Sequence, residues 1–236
     1  MTCDEFSDAF EVLLNSHRFL NKYSEGTVSN TINLSEYEKS ILLTKAQEDL
    51  IVAAYDGDNI FSDSFESSEK VRKFLNALVK TTELTSYITD EGISNKSYIF
   101  TLPEEDDLIW FTVYEEAVLA DENLGSFTAL VKPVTHDEYY HTQENPFKKA
   151  NKKRVLRLDI ANNKVELISE YTINTYKIRY ISKPSPIILI DLTDYNLTIN
   201  GKSEKTECVL NPAIHTAILE RAVQLAYQSR AVKENE

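Results

Sequence analysis

The sequence predicts an α+β protein, with an N-terminal helical bundle completed by a C-terminal helix and a β-rich central part. Three observations lead there. Apolar residues recur at three- and four-residue steps through the first third, the period changes to two near Tyr98, and a capped apolar stripe ends the chain. Helices first, then strands, then one helix is the order of α+β rather than alternating α/β proteins. The expected organisation is a helical part over 1–90, a β-rich part over 91–210 with a short helix near 135–144, and a C-terminal helix and tail over 211–236. That last part is expected to share one intertwined domain with the N-terminal helices.

In Asp4–Leu20 the residues Phe6, Phe10, Leu13, Leu14 and His17 make one helical face, and the polar break Asn21–Asn33 with Gly26 follows. Ser35 and Glu38 have the spacing of a capping box, in which each side chain satisfies the other's free amide. The helix they open runs through Ile41, Leu42, Leu50 and Ile51 to Tyr55, and Asp56-Gly57-Asp58 stops it. A third helix from Ser67 or Ser68 shows Val71, Phe74, Leu75 and Leu78 on one side.

Period-two runs predict strands at Tyr98–Leu102, Leu108–Tyr114, Phe127–Val131, Arg154–Ile160, Lys164–Ile168 and Tyr176–Ile181. The acidic turn Pro103–Asp107 separates the first two, and Ala161-Asn162-Asn163 reads as a hairpin turn. Thr135–Glu138 has capping-box spacing for a short helix ending before Asn145-Pro146. After the double-proline corner at Pro184 and Pro186 come the apolar run Ile187–Leu192 and the short strand Leu197–Gly201. Asn211-Pro212 then supplies an N-cap with proline at the first helical position. The closing helix aligns Ile214, Ile218, Leu219, Ala222, Leu225 and Ala226.

Composition narrows the function. Five glycines among 236 residues, with neither GxGxxG nor GxxxxGK[ST], argue against phosphate-cradling loops. Cys3 and Cys208 stand far apart and suggest neither a disulfide framework nor a metal cluster. No run approaches the apolar length of a membrane span, and the first residues are acidic rather than signal-like. Net charge is −13, but residues 1–145 hold 10 Lys/Arg against 28 Asp/Glu, whereas residues 146–236 hold 15 against 10. Two surfaces of opposite character are expected.

No catalytic constellation emerges. His136 and His141 are five apart, about 140° around a helix, whereas a zincin pair needs a spacing of four. Glu104–Asp107 lacks the ligand spacing of a calcium loop and reads as a solvated turn. The dense basic cluster Lys148, Lys149, Lys152, Lys153 and Arg154 fits an intersubunit contact with an acidic surface, or phosphate contacts. No aromatic residue is interleaved among these cations, as a single-strand binder would require.

Several segments resemble structural proteins of crAss-like phages. They are Leu42–Asp49, Val134–Tyr139 with Asn145-Pro146-Phe147, Leu156–Asp159, Tyr176–Pro186 and Glu207–His215. The Arg179–Pro184 element and the closing helix are also similar to head–tail adaptor proteins of other short-tailed phages. This resemblance implies a virion structural protein, a head–tail connector ring subunit of the neck, assembled in the host cytoplasm. It implies a ring of twelve copies beneath the portal, joining portal to tail, with genomic DNA passing through the channel without sequence-specific binding. No chemistry, cofactor, metal or membrane is implied. The candidate interface is Lys148, Lys149, Lys152, Lys153 and Arg154, with Tyr180, Pro184 and Pro186 from the corner and Ile214, Ile218 and Leu225 from the last helix. Whether that helix docks on the portal or packs in the subunit is left open. The alternative reading is a phage-encoded binding module or regulatory protein using residues 148–154. A small enzyme with a carboxylate site at Glu104–Asp107 comes third.

Overall fold

The computed structural model describes residues 1–21, 34–57, 65, 68–89, 92–94, 96–103, 108–122, 125–160 and 163–233. It divides into two compact units, one formed by residues 79–183 and the other by residues 1–78 with 184–236.

The first of these is a curled, mixed seven-stranded sheet. Its strands are β1 (Val79–Leu84), β2 (Ser97–Thr101), β3 (Ile109–Asp121), β4 (Gly125–Pro133), β5 (Arg154–Ile160), β6 (Lys164–Ile168) and β7 (Thr172–Ser182). They lie in the order β1-β7-β3-β4-β5-β6-β2. All neighbours are antiparallel except β4 and β5, which the chain joins by the crossover through α4 (Tyr139–Glu144). The long β3–β7 ladder slips register three times, between Ile109 and Phe111, between Thr112 and Tyr114, and between Val118 and Leu119. Such irregularities bend and twist a strand pair, which suits a sheet that curls.

Alternation explains the two faces. Phe100, Leu119, Val131, Val155, Leu167, Tyr176 and Ile178 pack one apolar cluster. Leu156, Leu158 and Ile168 point to the other face, where Ala150, Val134 and Tyr139 cover them. β5 and β6 are therefore buried on both sides.

The other unit holds α1 (Cys3–Asn21), α2 (Glu36–Asp56), α3 (Glu69–Leu75) and α5 (His215–Lys233). The Ser35–Glu38 capping box forms, and α2 ends at Gly57, whose φ of 91° a side-chain residue rarely adopts. Tyr227 of α5 donates its hydroxyl to the Leu14 carbonyl at 2.5 Å, and Arg221 grips Asp49 of α2 at 2.7 and 3.0 Å. Lys39 of α2 is 1% exposed. Burial alone would lower its pKa, but hydrogen bonds and charge from Glu11 and Glu36 outweigh it and hold the ammonium above its ordinary value. The contacts are 2.5 Å to Glu11, 2.7 Å to Glu36 and 3.0 Å to the Ser7 hydroxyl.

The expected architecture is corrected. An N-terminal helical bundle with a β-rich centre is not what forms, because the dominant element is the single curled sheet, accompanied among the described residues by five short helices. The third predicted helix forms as α3 and a 3-10 turn over Asn76–Leu78, after which Val79–Leu84, with only two apolar residues, pairs with β7 at the sheet edge. The inward face of α2 is half polar. It buries Ser40, Thr44 and Gln47, a row one turn apart that serves the extended segment 185–189. Thr44 bonds both the N–H and the carbonyl of Ile187 at 3.1 and 3.3 Å. Ser40 accepts from the Leu189 N–H at 3.0 Å, and Gln47 donates to the Ser185 carbonyl at 3.0 Å.

Smaller expectations also shift. Thr135–Glu138 forms no capping box; α4 begins at Tyr139 without a side-chain cap. Instead the Thr135 hydroxyl bonds the Asp137 carboxylate and holds its pKa below the ordinary value. The runs at Ile187–Leu192 and Leu197–Gly201 make only isolated bridges, Ile188 to Thr206 and Ile199 to Lys202. Asn211 does cap, accepting from the Ala213 N–H at 3.0 Å, and a single 3-10 turn precedes α5. The turn residues Glu104–Asp107, Ala161 and Asn162 lie outside the described residues.

Candidate functional site

The basic cluster sits on a tightly pinned turn between α4 and β5. Asn145 starts it: its side-chain oxygen accepts from the Phe147 N–H at 2.9 Å, and its carbonyl accepts from Lys148 and Lys149 at 3.0 and 2.9 Å. Asn and Asp favour such turns because their side chains mimic a backbone acceptor. Asn151 repeats the device on the Lys153 N–H at 2.9 Å and exchanges two backbone bonds with Arg154. Ala150, 2% exposed, anchors the segment in the cluster over β5 and β6. Arg154 closes the loop by donating Nη1 to the Phe147 carbonyl at 2.5 Å.

What this scaffold presents is a cationic surface with an apolar tip. Lys148, Lys152 and Lys153 are exposed, and among the described residues Lys149 alone of the four lysines meets a carboxylate, Glu170 at 3.6 Å. Phe147 is 86% exposed and Tyr140 on α4 is 65% exposed. A phenylalanine displayed this far into water gives up about 1.5–3 kcal/mol relative to burial. Phe147 stands directly before the cations rather than interleaved among them. Asn-Pro directly before Phe is the turn signal that places the ring at the surface.

The other candidate residues lie elsewhere. Tyr180 is buried in the sheet cluster, its hydroxyl 3.3 Å from Thr82 Oγ1. Pro184 and Pro186 are buried beside the segment that runs along α2. Ile214, Ile218 and Leu225 are 8%, 0% and 8% exposed, so the apolar stripe of the last helix packs within its own unit. A partner meeting α5 would find Thr216, Glu220, Gln224 and Gln228 on its exposed side.

Nothing among the described residues gathers three His, Cys, Asp or Glu side chains in a metal-binding cluster. His136 turns Nε2 toward the Asp159 carbonyl at 2.9 Å, while His141 stays on α4. Burial raises the thiol pKa of both cysteines, that of Cys208 up to about 11, so neither resembles an activated nucleophile. No described helix is long and apolar enough to cross a membrane. The exposed cations and the Phe147 ring form a surface suited to contact.

Comparison with known proteins agrees with that character. A family model described as phage tail ring protein 3/4 matches residues 1–236. The chain is 47% identical to Ring protein 3 of Bacteroides phage crAss001, over 98% of this chain and 96% of that protein. It is 36% identical to Ring protein 4/5 of the same phage, over 96% of this chain and 92% of that protein. This chain therefore belongs to the phage tail ring protein 3/4 family.

Proposed function

We propose that the protein is a non-enzymatic subunit of a ring in the virion, stacked between portal and tail. The reading rests above all on the match of the whole chain to a family of ring proteins. Twelve copies around a channel that passes the genome is the arrangement the resemblance to head–tail connectors implies. The physical character of the chain supports it. Acidic residues dominate 1–145 while the surplus of cations lies in 146–236, so the two parts of neighbouring copies attract head to tail. A net charge of −13 per copy is unfavourable for gripping a phosphate backbone, which a channel for moving DNA must avoid.

The test is assembly on a platform. The chain, produced together with the portal and neighbouring tail proteins of its phage, should sediment as part of one large complex and appear as a closed ring in electron micrographs. Purified virions should contain it in fixed stoichiometry. A chain that remains monomeric with those partners yet retards DNA in a salt-sensitive manner would overturn the ring in favour of a nucleic-acid partner.

A further inference from the structure

We propose that Phe147 is the knob of the contact between neighbouring copies, and that it seats in the shallow acidic groove on the outer face of α1. This deepens the ring reading and rests on it.

Three properties of the knob carry the argument. It is the most exposed large apolar side chain among the described residues. Its backbone is held by Asn145 and Arg154, so little freedom is lost when it docks. It is flanked by Lys148, Lys152 and Lys153, which are exposed. An aromatic anchor on a preorganised turn with a charged rim is how interface hot spots are built.

The receiving surface is found on the other unit. Asp8, Glu11, Val12, Asn15 and Ser16 line an open concavity of about 510 Å³. These positions recur at three and four residues, so they share the side of α1 opposite to the buried Phe6, Phe10 and Leu14. Val12, 67% exposed, supplies an apolar floor, and Asp8 and Glu11 supply the rim. Glu11 already bonds Lys39 with one oxygen and keeps the other for a second cation. The knob is apolar with a positive rim and the groove apolar with a negative one. The occupant is thus a second copy of this chain: a contact of unlike patches that leaves a knob and a groove open at each end until a ring closes.

A contact of unlike patches has a distinctive test. Phe147→Ala removes the knob but keeps the groove, and Val12→Lys blocks the groove but keeps the knob. Both sites are exposed, so thermal unfolding should match the unaltered chain. Each variant alone should fail to close a ring with portal and tail partners, its self-association weakened on the order of 30-fold or more. An equal mixture should form pairs that stop at two, because one good contact remains per pair. Raised salt should weaken association of the unaltered chain. Rings that persist in Phe147→Ala or Val12→Lys, or a mixture that forms no pairs, refute the contact alone. An unaltered chain that never forms a ring refutes the ring reading, and this contact with it. Phe147→Ala that abolishes DNA retardation while leaving rings intact assigns the knob to nucleic acid instead.

Discussion

Arg157 on β5 reaches past β4 to set its Nη1 2.5 Å from Glu115 Oε1 on β3, in the interior of the sheet unit. Tyr176 of β7 donates its hydroxyl to the same oxygen, and Asp159 lies 3.1 Å from Arg157 Nε. The Glu115 and Arg157 side chains are 4% and 11% exposed. Burial, then the charge of Glu115, pushes the Tyr176 phenol well above its ordinary range. Removing one member of a buried pair strands the other charge, which costs about 3–5 kcal/mol. Glu115→Leu should lower the unfolding free energy by about that amount in urea titration, whereas Glu115→Leu with Arg157→Met should recover most of the loss. A double variant whose loss equals the sum of the two single losses would show that the charges do not couple.

A second constraint lies on the other face of β6. Glu166 is 1% exposed and accepts from the Ile93 N–H at 2.7 Å and from the Ser97 hydroxyl. Gly92 makes room for this carboxylate. A Cβ there would overlap Ser97 and lie 2.7 Å from Glu166 Oε1. Gly92→Ala should therefore displace the turn or the carboxylate and destabilise by about 1–3 kcal/mol, as overpacking does. A melting temperature within a degree of the unaltered chain would mean that the turn yields without strain.

The polar row on α2 gives a third prediction. Thr44 satisfies both backbone groups of buried Ile187. Thr44→Val keeps the shape and removes both bonds, leaving a buried N–H and a buried carbonyl unpaired at about 1–3 kcal/mol each. Hydrogen exchange at the Ile187 amide should accelerate while amides of β5 and β6 stay protected. Unchanged exchange at Ile187 would assign its protection to burial alone.

These particulars explain what was legible beforehand. Arg154–Ile160 and Lys164–Ile168 were readable to the residue because period-two alternation bounded by turn residues is a strong signal. The Ser35–Glu38 cap and the Gly57 stop were readable because their chemistry is local. The polar part of the buried face of α2 was not legible, because Ser40, Thr44 and Gln47 bury hydrogen-bonding groups and hydrophobic periodicity registers only apolar burial. β1 was missed since Val79-Lys80-Thr81-Thr82-Glu83-Leu84 is an edge strand with two large apolar residues, and its identity depends on β7 nearly a hundred residues away. The basic turn was legible as composition. The exposure of Phe147 was not, because the same residue type fills the core at Phe6 and Phe100.

His215 opens α5 and is 3% exposed. Its Nε2 lies 3.0 Å from the Leu210 carbonyl, so that nitrogen carries the proton, and Nδ1 is left to accept from the Met1 ammonium at 2.9 Å. Burial holds its pKa below the ordinary 6.5, with the Leu210 carbonyl opposing and the Met1 ammonium reinforcing the shift. Well above pH 6.5 the imidazole is neutral in folded and unfolded chains alike, and it contributes no pH dependence. As pH falls below 6.5, the unfolded chain takes up the proton first, so stability drops until the folded pKa is passed. Protonation also turns Nδ1 into a donor facing an ammonium, which breaks the tie to Met1. His215→Gln should be less stable than the unaltered chain at pH 7.5, with the gap narrowing toward pH 5 in parallel urea titrations. A gap that stays constant across that range would remove His215 from the acid sensitivity of this unit.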